Sequence, residues 1–142
     1  MAAPDFYFAI NATFRWIQDN WGEEGLRAYW RALGSEHFAG VTRRFQAEGL
    51  EGVRAYWQDF FAEEPGAEFT VATEGDRVLL DVAVCPAIRH LREHGREIMP
   101  VYCQHCTEVS QAMCEAAGIA VQVEGGGGAC RQSFALAEGV RS

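Results

Sequence analysis

Sulfur carries the chemistry that can be read from this chain. Its five cysteines are Cys85, Cys103, Cys106, Cys114 and Cys130, all in the second half. Cys103 and Cys106 form a C-x-x-C at the start of a predicted helix, where two thiolates stand about one turn apart and suit zinc or an iron–sulfur cluster. Helix N-terminal N–H groups also lower the pKa of a thiol placed there, so the same pair suits reactive-thiol chemistry. Cys85, at the end of a predicted strand, and Cys130, in a strand that could neighbour it, complete a four-sulfur metal set: Cys85, Cys103, Cys106 and Cys130. Cys114 lies about 12 Å further along the helix at ~1.5 Å per residue and is expected to be a packed free thiol. Plain packing is the competing account of the others, since cysteine fills cores as a small hydrophobe.

Other groups sit near this set in sequence. His90 and His94 have the i, i+4 spacing of metal ligands and also that of ordinary surface histidines. "CQHC" is not a haem-attachment motif, because its His lies between the cysteines. Asp81 precedes Cys85 by two strand pleats and is a candidate general base, beside Cys85 and Cys103 as candidate nucleophiles. Arg89, Arg92, Arg96 and Arg131 are the basic grouping nearby. The four are candidate carboxylate clamps, Arg89 and Arg131 foremost as substrate-binding residues, with pairing to Glu93 and Glu97 on solvated helix faces as the alternative. "GGGG" at 125–128 lacks the following helix and Lys of a phosphate loop and reads as a flexible hairpin loop.

Composition removes several classes. A net charge of −8 and a pI near 4.9 set the chain against nucleic acid and anionic membranes, leaving small molecules or proteins as partners. All 12 basic residues are Arg, which excludes Schiff-base and P-loop lysine chemistry. The opening residues contain neither a long apolar run nor a basic leader, so a cytoplasmic protein is expected, with the odd cysteine count fitting a reducing compartment.

The elements that must position these groups follow from periodicity. Residues 1–64 read as helices rich in aromatic side chains, and contain a near-repeat: "EEGLRAYWRAL" at 23–33 and "LEGVRAYWQDF" at 50–60. In each copy the apolar residues recur at i, i+3, i+4 and i+7, so the likeness is read mainly as one packing solution used twice. Glu23 is expected to reach Arg27 and Glu51 to reach Arg54. Gly22 is read as a helix stop, and Ser35 as the N-cap of a further short helix. The aromatic content also predicts a homodimer through this region, tested by replacing Trp30 or Trp57. From Pro65 the period becomes alternating. Residues 65–142 read as β-β-α-α-β-β, an antiparallel sheet with helices on one face, the later helix opening at Pro100. The whole is an α+β chain folding as one compact domain.

"NWGEEGLRAYW", "VAVCPAIRHLREHGREI", "YCQHC" and "GGGGACRQSF" together resemble the aminothiazoline-carboxylate hydrolase-like family. The resemblance implies ring opening of a small cyclic amidine that carries a carboxylate, with Cys85, Cys103 and Cys130 matching recurring cysteines and Cys106 and Cys114 as departures. The late Gly-then-Cys hairpin is also similar to hydrocarbon-binding, vinyl-reductase-type domains, which are ligand-sensing modules. Two classes of function therefore stand side by side. One is a small-molecule hydrolase using a cysteine-ligated metal or an activated thiol. The other is a ligand- or metal-binding regulatory module with a structural cysteine site, or an iron–sulfur protein.

Overall fold

The computed structural model describes residues 4–137. The chain is α+β, and its elements follow the expected order. Helix α1 spans Phe6–Ala32 and passes through a short π-helical turn, Leu33–His37, into α2 (Ala39–Glu48) and α3 (Leu50–Glu63). Strands β1 (Glu68–Glu74) and β2 (Arg77–Val84) precede α4 (Pro86–Glu93) and α5 (Gln104–Glu115), and β3 (Ile119–Gly126) and β4 (Ala129–Leu136) close the chain.

The repeat is a helical corner made twice. Gly22 (φ 71°, ψ −175°) breaks α1 internally, and Gly49 (φ 65°, ψ −146°) separates α2 from α3. Both backbone states are ones that glycine enters without the Cβ clash other residues meet. In each copy a second glycine follows three residues later. A Cβ on Gly25 would lie 2.4 Å from the Trp21 Cβ, and one on Gly52 would lie 2.9 Å from the Glu48 Cβ. The motif is therefore Gly-x-Glu-Gly followed by an aliphatic residue and Arg-Ala-Tyr-Trp. Its glycines let the incoming helix end close on the outgoing one, and its aliphatic residue and Trp go into the core. Leu26, Trp30, Val53 and Trp57 are all buried.

Three local expectations are corrected. Ser35 caps nothing: it is exposed within the π-helical turn, and α2 begins at Ala39 after Phe38. Arg27 does not turn back to Glu23 but crosses to Glu108 of α5 at 3.4 Å, whereas Arg54 does pair with Glu51, at 2.9 Å. The later helix also starts beyond Pro100, at Gln104 with Cys103 as its N-cap.

The four strands form one antiparallel sheet in the order β1-β2-β4-β3. Both hairpins have two-residue turns, Gly75–Asp76 and Gly127–Gly128, and β2 joins β4 with Val82 opposite Cys130. Alternation then assigns the faces. Val78, Leu80, Val82, Cys130, Gln132 and Phe134 point toward the helices, and Leu79, Asp81, Arg131 and Ser133 point away.

Apolar side chains gather into two cores. One lies between the inner sheet face and α2, α3 and α5, and includes Phe45, Val53, Trp57, Met113, Cys114 and Phe134. The other joins α1 to α4 and the segment before α5, through Phe14, Leu26, Trp30, Leu91, Met99 and Tyr102. Both take residues from each side of Pro65, so the helical front and the cysteine-bearing half are packed into each other. Cys85 borders both cores. Trp30 and Trp57 are core residues rather than surface anchors; the exposed large aromatics of the front are Phe6, Trp16, Trp21 and Phe60. No helix among the described residues is long and apolar enough to cross a membrane.

Candidate functional site: a thiol-lined cleft

Two helix starts and one hairpin loop meet beside the junction of the cores. Cys85 leaves β2 in an extended conformation and becomes the N-cap of α4, with Pro86 supplying the first-turn residue whose missing N–H costs nothing there. Cys103 holds the same position on α5. The glycine loop ties both down. The Cys85 N–H donates to the Gly128 carbonyl at 2.8 Å, and the Gly127 N–H donates to the Cys103 Sγ at 3.3 Å. Gly126, Gly127 and Gly128 all have positive φ, and this sequence of backbone states lets the loop turn its amide toward the sulfur.

Two of the five thiols, Cys85 and Cys130, feel other cysteines here. Burial raises the Cys85 thiol, with Cys106 and Cys103 adding to the rise, while the N–H groups of Ile88 and Ala87 offset part of it without closing a cap hydrogen bond. Cys130 is pushed up to about 12 by burial first and then by Cys106, Cys85 and Cys103. Cys106 is pushed up to about 11 by burial alone. Cys114 is pushed up to about 12 by burial and feels none of the others, as its position further along α5 requires. All five are free thiols.

A metal needs more than a shared neighbourhood. Among the described residues, no group of three or more His, Cys, Asp or Glu side chains is arranged to hold a metal ion. Cys85, Cys103, Cys106 and Cys130 stand in one neighbourhood.

Several expected partners are placed elsewhere. Asp81 is on the outer sheet face, held by Arg131 through Nε at 2.7 Å and a second nitrogen at 3.2 Å, so neither reaches the thiols. His90 and His94 face the start of α1: His90 stacks on Phe8 and lies 3.2 Å from Asp5, and the His94 Nδ1 meets the His90 carbonyl at 2.9 Å. Arg89 stands at the mouth of the site, paired with Glu93 at 2.8 Å.

Other groups enter without a sequence motif to announce them. Tyr102 is almost wholly buried, and its hydroxyl is raised first by burial and then by Cys85, Cys106 and Cys103. His105 is enclosed by Phe14, Trp30 and Tyr102, with its Nε2 at 3.8 Å from the Cys106 Sγ; burial lowers its pKa and keeps the ring neutral at pH 7. Gln132 reaches Ser110 at 3.4 Å on the buried side of β4. Tyr7, from the first turn of α1, donates a short hydrogen bond to Glu64 at the end of α3. The Tyr7–Glu64 and Ser110–Gln132 pairs, and the contacts of Phe14 and Trp30 with His105, join residues too far apart in sequence for a spacing rule to bridge.

The Tyr7–Glu64 bond supports a prediction. Burial, then the bond itself, drives the Tyr7 hydroxyl far above the usual phenol range, with Cys85 and Tyr102 close enough to contribute. Because the folded pKa is raised, the stabilisation is complete below the unfolded value of about 10 and is lost as pH rises above it. Tyr7→Phe should cost about 1–2 kcal/mol in urea unfolding at pH 7, a hydrogen bond to a charged acceptor made at a partly buried site. The difference from wild type should narrow above pH 10. Equal stability at pH 7 would show that the bond contributes nothing.

The site opens to solvent through a depression of about 540 Å³ lined by Cys85, Ile88, Arg89, Arg92, Glu68, Glu93 and the glycines 126–128. Cys85 is the cysteine in this lining. The fold and site together define an α+β domain with a thiol at the floor of an arginine-bearing cleft. No protein-family model and no curated protein matches the chain.

Proposed function

We propose that this protein is a small-molecule hydrolase that opens the C–N bond of a cyclic amidine bearing a carboxylate, with Cys85 as the nucleophile. The observation that supports the reading is the placing of Cys85, alone among the cysteines, in the lining of a cleft that also holds Arg89 and Arg92. No side chain among the described residues hydrogen-bonds the Cys85 sulfur, so the thiol proton is assigned to the substrate. The S–H adds across the amidine C=N bond, sulfur bonding to carbon and the proton going to nitrogen. The exocyclic nitrogen then forms the C=N bond and gives up a proton to the ring nitrogen, which leaves as an amine, and water replaces sulfur at carbon, one of its protons restoring the thiol. The raised pKa of Cys85 makes free thiolate scarce, which fits a thiol that reacts fastest when a basic nitrogen is bound above it.

Ring opening of a 2-aminothiazoline carboxylate, followed by proton NMR, tests this. Cys85→Ser should lower turnover by about 10³-fold or more, as removal of a nucleophile does, and Cys114→Ser should leave it unchanged. Ring opening by Cys85→Ser at the wild-type rate would exclude the thiol mechanism, and no turnover by wild type would overturn the substrate class.

A second reading, a metal- or ligand-binding module, is supported by the nearness of Cys103 and Cys106 to Cys85 and of all three to Cys130. Stoichiometric zinc or iron in anaerobically purified protein, lost in Cys103→Ser and Cys130→Ser but kept in Cys114→Ser, would favour it. Either reading places the protein in a reducing compartment such as the cytoplasm, where unpaired thiols persist. For pairing of two copies through the front, the aromatics on offer are Phe6, Trp16, Trp21 and Phe60, because Trp30 and Trp57 are enclosed.

A further inference from the structure

We propose that Arg92 is the residue that selects ligands carrying a single carboxylate, holding that group against the glycine loop while the rest of the ligand lies over Cys85; this deepens the hydrolase reading and uses the same cleft. Four arginines are near enough in sequence to be candidates, and the structure separates them. Arg131 is on the outer sheet face, bidentate to Asp81. Arg96 lies over the Phe8 ring at 4.5 Å, outside the lining. Arg89 is in the cleft but committed: its Nε is 2.8 Å from Glu93, and a second nitrogen reaches the Gly66 carbonyl at 3.3 Å and lies 3.9 Å from Glu68. A guanidinium so occupied has fewer donors to offer an incoming anion, and its charge is already compensated by Glu93 and Glu68.

Arg92 differs on each count. It lines the cleft and has no carboxylate partner among the described residues, although Glu93 and Glu68 stand in the same lining and turn to Arg89. Its guanidinium runs along the glycine loop. A Cβ on Gly128 would lie 3.2 Å from one of its terminal nitrogens, and a Cβ on Gly127 would lie 3.9 Å from the other. The absence of side chains at these positions is what gives the planar fork its place beside the Cys85 wall. A fork with free N–H groups matches a carboxylate bidentately. One uncompensated positive charge, in a cleft with two carboxylates and a chain of net charge −8, favours a monoanion over a phosphate dianion.

The test uses alkylating reagents of the same size that differ in charge. Iodoacetate carries the carboxylate that Arg92 should hold, and iodoacetamide does not. Labelling rates at Cys85 are read by peptide mass spectrometry on the intact chain. The ratio of the two rates within each variant cancels any change in the thiol's own reactivity. In Arg92→Gln the iodoacetate-to-iodoacetamide ratio should fall about tenfold, the equivalent of one charge-assisted hydrogen bond. Arg92→Lys should keep part of it, and Arg89→Gln should leave it within about twofold, as expected for an already neutralised charge. In wild type, propionate should protect Cys85 from iodoacetamide and propionamide should not, a measurement that needs no variant to fold. A ratio unchanged by Arg92→Gln, an equal fall in Arg89→Gln, or equal protection by propionate and propionamide would overturn the assignment. Carboxylate selectivity without ring opening would leave Arg92 standing and remove the hydrolase reading; ring opening without selectivity would do the reverse.

Discussion

Trp30→Ala should lower the unfolding free energy by about 3–5 kcal/mol, the range for truncating a large aromatic in a packed core. Trp30 is 2 % exposed and meets Phe14 edge-on with ring centroids 5.3 Å apart, in the core that carries α1 against α4. A cavity there would open beside His105, whose ring centroid is 6.3 Å away, and beneath the start of α5. The same residue has a second feature: its indole N–H is buried without a hydrogen-bond partner. Trp30→Phe keeps most of the packing and removes that unpaired donor, so it should cost no more than about 1 kcal/mol. Urea unfolding of both variants checks the pair. Similar losses for Ala and Phe would mean that the indole N–H is satisfied and the packing account incomplete.

Gly34→Ala should also be severe, for the opposite reason. Gly34 is buried in the π-helical turn where α1 passes over α5, and an added Cβ would lie 2.5 Å from the Val109 carbonyl oxygen and 2.6 Å from the Ala112 Cβ. Neither obstacle is the end of a flexible chain, so α5 itself would have to move. Overpacking of this kind costs about 1–3 kcal/mol or more. Because Cys103 caps the start of α5, the displacement should reach the site and slow the proposed ring opening along with lowering stability. Gly40→Ala provides the contrast. It is an exposed helical position where the nearest atom to the new Cβ is an Arg43 terminal nitrogen at 3.7 Å, and it should gain a few tenths of a kcal/mol from helix propensity. Thermal unfolding of the two variants in opposite directions is the expected result; equal small effects would show that the turn over α5 yields.

Much of the fold was legible in the sequence because its signals are local. The change from helical to alternating periodicity at Pro65 marks a real change of structure. The turns at Gly75–Asp76 and Gly127–Gly128 sit where glycine relieves the steric cost of positive φ. The stripe read from the doubled string contains the buried Leu26, Trp30, Val53 and Trp57, although Phe60 at its end is exposed. Its meaning as a corner was less visible, because the second glycine of each copy is there for an approach between successive helix segments that only their packing reveals. Cys114 was separable from the other thiols by helix rise alone.

What the tertiary structure decided was pairing. Period-two reasoning put Asp81 and Cys85 on one face, but β2 ends at Val84 and Cys85 has already turned to cap α4, so alternation no longer applies at that residue. Asp81 therefore faces outward to Arg131, and Cys85 enters the junction of the two cores. The choice among arginines is of the same kind. Arg27 prefers Glu108 across the core to Glu23 on its own helix, Arg89 is consumed by Glu93 and Glu68, and Arg92 is left in the cleft without a carboxylate. Each of these side chains has several charged neighbours within reach in sequence. Which pair forms depends on how helices and strands converge, a long-range geometry that residue spacing does not encode. Local steric preference and periodicity were thus enough to specify the elements, while the site came from where two helix starts and a glycine loop happen to meet.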